Sequence, residues 1–117
     1  MSKLNNTQEN FGINVLSQVN TGSAGGTMYY INLGGIKMLW GQTAANVASA
    51  AGPSFGITFP TSFFTTVQSG IANLNTISTV SNQSLNMDSL TATSCVIFMY
   101  AAATTGGEKV GYLIIGT

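Results

Sequence analysis

The sequence predicts an all-β fold, an antiparallel β-sandwich, and three observations lead to it. Apolar side chains recur at every second position in several short segments, which is the spacing of a strand with one buried face. Those segments are rich in β-branched and aromatic residues. Glycine and proline, which end strands and form turns, separate them. With 117 residues the chain has room for one domain.

Charged residues are unusually few. They make up 5% of the chain, against about 25% in ordinary soluble domains, and the formal net charge is zero. Because little electrostatic repulsion keeps copies apart, we expect the chain to associate with itself. The longest apolar run, residues 95–103, is shorter than the roughly 20 residues of a membrane-spanning helix, so we predict no membrane insertion. The first residues lack the apolar core of a secretory signal, which predicts a protein made in a cytoplasm.

The first 26 residues are polar and rich in turn-forming residues. We predict an extended segment and linker at 1–26, followed by the sandwich domain at 27–117. The apolar residues of the first segment fit both helix and strand spacing, but Gly12 and Asn14 disfavour a helix. The glycine-rich stretch 22–26 is predicted to be a flexible joint.

The only tryptophan lies in a short strand bounded by glycines. Residues 27–33 form the preceding predicted strand, and residues 36–41 form this one. Ile36, Met38 and Trp40 share one face by their spacing. Because a tryptophan side chain buries more area than any other, we predict that Trp40 is the centre of the core.

The middle of the chain alternates between strands and polar stretches. Residues 42–53 are small and polar and are predicted to form a loop. Residues 56–60 are a strand that stops at Pro60, because proline cannot donate to a sheet ladder. Residues 63–77 continue with strand character, and residues 73–88 are predicted to be a strand end and an exposed loop.

Two late segments are apolar on both faces. Residues 89–100 are predicted to be one long strand, residues 104–109 a hairpin turn, and residues 110–116 the last strand. A sandwich strand buries one face in its own core, so a second apolar face requires another cover, which a neighbouring subunit can supply. The two predicted sets are Val96, Phe98, Tyr112 and Ile114 on one face and Ile97, Met99, Leu113 and Ile115 on the other.

The composition excludes several function classes. The chain has no histidine, and Glu9, Asp88 and Glu108 are its only acids, so we predict no catalytic triad, no metal or cofactor site and no enzyme activity. The alternative is that Asp88 and Glu108 form a catalytic carboxylate pair, and two separate solvated acids are the favoured interpretation. Three lysines without arginine make no basic surface for nucleic acid. Cys95 cannot pair within the chain and is predicted to be a buried, inert thiol.

Three motifs, in this order along the chain, resemble those of a known protein family. They are Ile-Lys-Met-Leu-Trp-Gly at 36–41, Ile-Thr-Phe-Pro at 57–60 followed by two phenylalanines at 63–64, and a closing aliphatic segment that ends in Ile-Gly at 111–116. Over residues 35–117 the chain resembles the carboxy-terminal receptor-binding domain of bacteriophage tail fibres. The resemblance implies a β-sandwich of which three copies form an intertwined homotrimer at the tip of a fibre.

The resemblance also implies a function. It indicates a viral receptor-binding protein that joins the rest of the phage tail and attaches the virion to a receptor on the host bacterium. The expected location is the tail fibre tip of the virion, after synthesis in the host cytoplasm. The receptor is expected to be a surface glycan, with an outer-membrane receptor as the other choice. The alternative is a purely structural virion or pilus-like β-subunit that binds no receptor.

Amide, hydroxyl and carboxylate side chains match the hydroxyl groups of sugars, and loops on a rigid sandwich carry recognition. We therefore expect the receptor site in the longest polar stretch or in the loop after Gly41, with the turn at Glu108 and Lys109 as a further alternative. For any single one of these residues the competing interpretation is ordinary solvation. The predicted receptor-binding residues are Asn73, Asn75, Asn82, Gln83, Asn86, Asp88, Gln42 and Asn46.

Overall fold

The computed structural model describes residues 14–44, 54–75, 85–99 and 109–117, which form two antiparallel sheets packed face to face. The predicted all-β antiparallel sandwich is therefore confirmed. One sheet has five strands in the spatial order β1 (Leu16–Val19), β2 (Thr27–Leu33), β3 (Ile36–Gln42), β8 (Lys109–Gly116) and β5 (Val67–Asn75). The other sheet has three, in the order β4 (Ser54–Thr58), β7 (Ser94–Met99) and β6 (Leu85–Asp88).

The hairpin between β2 and β3 follows directly from the sequence. Leu33 and Ile36 are paired across the strands, so the loop has only two residues. Gly34 and Gly35 both have positive φ, at 66° and 109°, a conformation that glycine adopts without steric cost. The side chain of Asn32 accepts a hydrogen bond from the backbone N–H of Gly35 at 2.9 Å, which closes the turn.

The core lies between the inner faces of the two sheets, and Trp40 is not at its centre. Leu39 is fully buried, whereas Trp40 and Met38 are half-buried and Ile36 is 58% exposed. The prediction for Trp40 is wrong because β3 is apolar on both faces, and Lys37 made the face of Leu39 look like the solvent side. Lys37 lies at the end of the inner face, where its ammonium donates to the backbone carbonyl of Phe63.

The single strand predicted at residues 89–100 is confirmed only for Ser94–Met99, which is β7, and is wrong for residues 89–93. The chain turns between β6 and β7, and Ser89 has a φ of 51°. The hydroxyl of Thr91 accepts hydrogen bonds from the backbone N–H groups of Thr93 and Ser94, at 3.2 and 3.1 Å, so a side chain organises this turn. The two strands then pair with each other, and Met87 lies opposite Ile97.

The predicted faces are correct within each late strand but wrongly combined between strands. Cys95 and Ile97 of β7 face the core together with Tyr112 and Ile114 of β8. The half-buried residues on the outside are Val96 and Phe98 of β7 and Leu113 and Ile115 of β8. Alternation fixes which residues of one strand share a face, but only strand pairing fixes which faces meet. The side chain of Met99 lies outside the described part.

The stretch 22–26 is a packed turn rather than the flexible joint that its glycines suggested. Asn20 is only 3% exposed and holds this turn against β4. Its carbonyl oxygen accepts from the backbone N–H groups of Gly22 and Thr58, at 3.0 and 2.9 Å, and its amide donates to the carbonyls of Gly25 and Gly56. A single buried amide is thus satisfied on both sides and joins the two sheets.

Several predicted loops are shorter than expected. Gln42 ends β3, and residues 45–53 lie outside the described part. The polar stretch 73–88 begins within β5 and ends as β6, and residues 76–84 between them are outside the described part. The turn predicted at 104–109 lies outside it except for Lys109, which starts β8.

The domain boundary at residue 26 stays a prediction, although β1 pairs with β2. No helix of the described residues is long and apolar enough to cross a membrane.

Candidate functional site

The outer face of the five-stranded sheet carries an unusual apolar surface. Strand pairing places Leu33 beside Ile36, Met38 beside Ile115, and Leu113 beside Ile71. Ile36 and Ile71 are 58% and 62% exposed, and the other members are also partly accessible. We call these six residues the aliphatic band. Scattered single apolar residues are normal on a surface, but a contiguous set of this kind marks an interaction surface.

A groove of about 460 Å³ lies at one end of this face, beside the aliphatic band. Its apolar floor is the pair of Tyr29 and Trp40, whose rings stack with centroids 6.2 Å apart and an angle of 25° between planes. Tyr29 is 43% exposed and Trp40 is half-buried, so both rings keep accessible surface. We call it the tryptophan groove. Its main lining residues are Thr27, Tyr29, Trp40, Gln42, Thr43 and Lys109.

The chemistry of the tryptophan groove is amphipathic. Thr27 supplies a hydroxyl, Gln42 an amide, and Lys109 an ammonium group, all beside the two aromatic rings. A hydroxyl and an amide each donate and accept hydrogen bonds, whereas an ammonium group only donates. Aromatic faces cover apolar C–H surfaces. This combination suits a neutral or anionic sugar ring and offers no nucleophile paired with a base.

The structure places two of the predicted site residues on the same face of the five-stranded sheet, and one of them, Gln42, lines the tryptophan groove. Gln42 of β3 and Asn73 of β5 both pair with Gly111 of β8, so their side chains stand on the same face with one strand between them. Neighbouring strands are about 4.8 Å apart, which places their Cα atoms about 10 Å apart. Asn75 pairs with Lys109 two residues further along, and the side chain of Asn75 lies outside the described part.

The other predicted site residues do not join this set. Asn86 and Asp88 are exposed on the outer face of the three-stranded sheet, on the opposite side of the sandwich. A carboxylate oxygen of Asp88 accepts from the backbone N–H of Ser89 at 2.8 Å, which is a turn contact. Asn46, Asn82 and Gln83 lie outside the described part.

A second groove, of about 440 Å³, lies at the opposite end of the β2–β3 hairpin from the tryptophan groove. It runs between the hairpin and the connection from β4 to β5. We call it the lysine groove. Its main lining residues are Tyr30, Asn32, Lys37, Thr61, Ser62 and Phe63. Sequence reasoning missed this groove, because Lys37 and Phe63, which meet in it, are 26 residues apart in the chain.

The thiol and phenol of the core are poor candidates for chemistry. Burial raises the pKa of Cys95 to about 12, so its thiol stays protonated at neutral pH. Burial also raises the pKa of Tyr112 to about 12, with a smaller contribution from Cys95. The predicted burial of Cys95 is confirmed. Within the described ranges, no three His, Cys, Asp or Glu side chains are grouped to hold a metal ion.

The fold places the chain among antiparallel β-sandwiches, and solved structures make that class more specific. No protein-family model and no curated protein match the sequence. An N-truncated R1-type pyocin tail fibre matches at a TM-score of 0.59 and 15% identity, over 100% of this chain and 98% of that chain. A carboxy-terminal R1 pyocin fibre fragment from P. aeruginosa matches at a TM-score of 0.59 and 16% identity, over 100% of this chain and 32% of the fragment.

An N-truncated R2-type pyocin tail fibre agrees with these two. It matches at a TM-score of 0.56 and 22% identity, over 96% of this chain and 41% of that chain. The chain therefore spans almost all of one solved fragment and less than half of two longer ones. Its fold is that of the carboxy-terminal part of a phage-tail-like fibre, and the resemblance seen in the sequence is confirmed at the level of the fold.

Proposed function

We propose that this chain is the receptor-binding tip of a phage tail fibre, which joins the rest of the tail and attaches the virion to a host bacterium. The observation that carries the proposal is the match of the whole chain to pyocin tail fibre fragments. The aromatic and polar grooves on its surface support a binding role. The proposed role is recognition without catalysis, and it places the chain in the virion after synthesis in the host cytoplasm.

The proposed assembly is a homotrimer that covers the aliphatic band. Residues such as Ile36 and Ile71 expose more than half of their surface in the single chain. Burying apolar surface contributes about 25 cal/mol per Å², so association of copies through this band is favourable. The two outward residues of β8, Leu113 and Ile115, belong to the set that the sequence assigned to a buried face.

The proposed receptor is a glycan on the host surface, held in the tryptophan groove. Trp40 and Tyr29 stack on a sugar ring, while Gln42, Asn73 and Lys109 bind its polar groups. Each hydrogen bond in such an open site contributes about 1 kcal/mol net, so several weak contacts act together. Three identical grooves in a trimer then raise the apparent affinity by multivalency.

The test is adsorption of the purified trimer to host cells and to their extracted surface glycans. Gln42→Ala combined with Lys109→Ala should reduce adsorption at least tenfold and leave the trimer mass and melting temperature unchanged. The matched control is Asn86→Ala combined with Asp88→Asn on the opposite face, which should adsorb normally. Loss of adsorption in the control alone would place the receptor on the three-stranded sheet. No adsorption by the unaltered trimer would favour the structural subunit.

A further inference from the structure

The lysine groove is separate from the surfaces assigned above. Tyr30, Asn32 and Lys37 alternate with Ile31 and Met38, so they project from the sheet surface opposite to the aliphatic band. The residues of the β4–β5 connection face them across the groove. The groove's volume of about 440 Å³ lies within the range of small-molecule sites.

Lys37 is held in a fixed place inside this groove. Its ammonium donates to the backbone carbonyl of Phe63 and lies 5.6 Å from the centroid of the Phe63 ring. An ammonium group has three donors. No carboxylate of the described ranges forms an ion pair with it. Lys37 is half-buried, so this is a positioned positive charge rather than a solvated surface lysine.

The aromatic wall of the groove is rigid. Tyr30 and Phe63 meet edge to face with centroids 4.9 Å apart. Phe63 in turn packs against Phe64 at 4.7 Å, and Phe64 packs against Phe59 at 5.3 Å. This chain of rings reaches the core, where Phe59 and Phe64 are buried. Tyr30 and Phe63 are only half-buried and keep ring surface for a ligand.

The rim of the groove carries polar groups and local backbone strain. Ser62 has a φ of 58°, in the left-handed region that residues other than glycine rarely adopt. Such strained residues concentrate at binding sites, where the surroundings hold them. Thr61 and Asn32 are exposed beside it and supply a hydroxyl and an amide.

We propose that the lysine groove binds a carboxylate-bearing pyranose, such as a hexuronic acid unit of a surface polysaccharide. The carboxylate accepts from the ammonium of Lys37, the ring lies against Tyr30 and Phe63, and the hydroxyl groups meet Asn32 and Thr61. The inference rests on the proposed function in that the ligand is a surface sugar, but it concerns a different groove and a different sugar chemistry.

The experiment is an NMR titration of the full chain with glucuronic acid, with glucose and acetate as matched probes. Glucuronic acid should shift the backbone signals of Lys37, Ser62 and Phe63. Glucose lacks the carboxylate and acetate lacks the ring, so each should cause smaller shifts at the same concentration. Equal shifts with glucose, equal shifts with acetate, or no shift with glucuronic acid would each overturn the proposal.

Variants at Lys37 extend the test. Lys37→Met keeps the aliphatic stem against Phe63 but removes the charge, and it should weaken glucuronic acid binding at least tenfold. Lys37→Arg keeps the charge and should retain binding. Gln68→Glu lowers the net charge by the same amount at an exposed site outside the groove and should bind normally. Unchanged binding by Lys37→Met would contradict the proposal, whereas adsorption through the tryptophan groove is measured independently.

Discussion

At the scale of single residues, neighbouring positions of one strand have opposite roles. Leu39 is fully buried between the sheets, and Trp40 beside it lies on the outer face against Tyr29. The usual rule that a lone tryptophan marks the core fails here because the outer face is itself apolar. Exposed aromatic rings on a sheet are instead typical of recognition.

These two positions give a direct prediction. Leu39→Ala removes a fully buried side chain and should lower the free energy of unfolding by about 2–5 kcal/mol. Trp40→Ala should cost less, about 1–2 kcal/mol, since the ring lies outside the core, on the outer face against Tyr29, and should give soluble protein with weakened glycan binding. Denaturant unfolding of both variants at one protein concentration checks this. If Trp40→Ala lowered the free energy of unfolding more than Leu39→Ala, Trp40 would be a core residue after all.

Tyr112 gives a prediction on pH. Its hydroxyl is buried, without a hydrogen-bond partner among the described residues, and burial raises its pKa to about 12. The unfolded tyrosine ionises near pH 10. The stability that keeping this phenol neutral contributes is therefore complete below about pH 10 and is lost as the pH rises toward about 12.

Tyr112→Phe removes that ionisation. We expect the variant to be at least as stable as the parent protein at pH 7, because no buried hydroxyl is left unpaired. Between pH 10 and 12 its unfolding free energy should fall less steeply, and the remaining slope should include Cys95, whose pKa burial also raises. Urea unfolding at pH 8 and pH 11 measures both effects. Identical slopes for the two proteins would contradict the assignment.

At the scale of elements, Gly70 shows how the two sheets meet. A Cβ atom at this position would overlap the sulfur of Met87, so the glycine of β5 makes room for the methionine of β6. The methionine end is flexible and can yield. This contact joins the edge strand β5 of one sheet to the edge strand β6 of the other.

A double-mutant cycle tests that contact. Gly70→Ala should cost about 1–3 kcal/mol through overpacking, and Met87→Ala should cost about 1–2 kcal/mol through lost packing. In the double variant the new methyl group occupies part of the space that the methionine leaves. The cost of the double variant should therefore be lower than the sum of the two single costs by about 0.5 kcal/mol or more. Ser69→Ala, on the exposed neighbouring residue, is the control and should be nearly neutral. If the two costs are additive, Gly70 and Met87 are not coupled and the proposed contact between them is contradicted.

The sequence predicts the strands better than their partnerships. Glycine pairs, Pro60 and period-two alternation located β2, β3, β4 and β8, because these signals act within a few residues. The phase of β3 and the matching of β7 with β8 depend on pairing between distant segments, which alternation does not encode. The same limit divided the predicted receptor residues between two faces. Asn20 gave no signal at all, because an asparagine beside glycines is also typical of an exposed turn.

At the scale of the whole molecule, the aliphatic band is apolar surface that a single chain leaves exposed to water. The sandwich already has a core between its sheets, yet one outer face is also apolar. A net charge of zero does nothing to hold copies apart. The proposed trimer accounts for both observations, and it leaves the lysine groove on the opposite surface of the sheet.

The last prediction concerns the assembly that covers this band. Ile36→Asp or Ile71→Asp places a carboxylate in the proposed interface, where three copies would each bury an unpaired charge, so the trimer should dissociate to monomers. Both residues are exposed in the single chain, so the fold should tolerate the change and the circular dichroism spectrum should stay that of a β-protein. Val19→Asp is the matched control, since Val19 is 66% exposed on the edge strand β1 outside the band. Light scattering on a size-exclusion column should give three chain masses for the parent and the control and one for the two band variants. A parent protein that elutes as a monomer at micromolar concentration would refute the trimer, and band variants that remain trimeric would move the interface to another face.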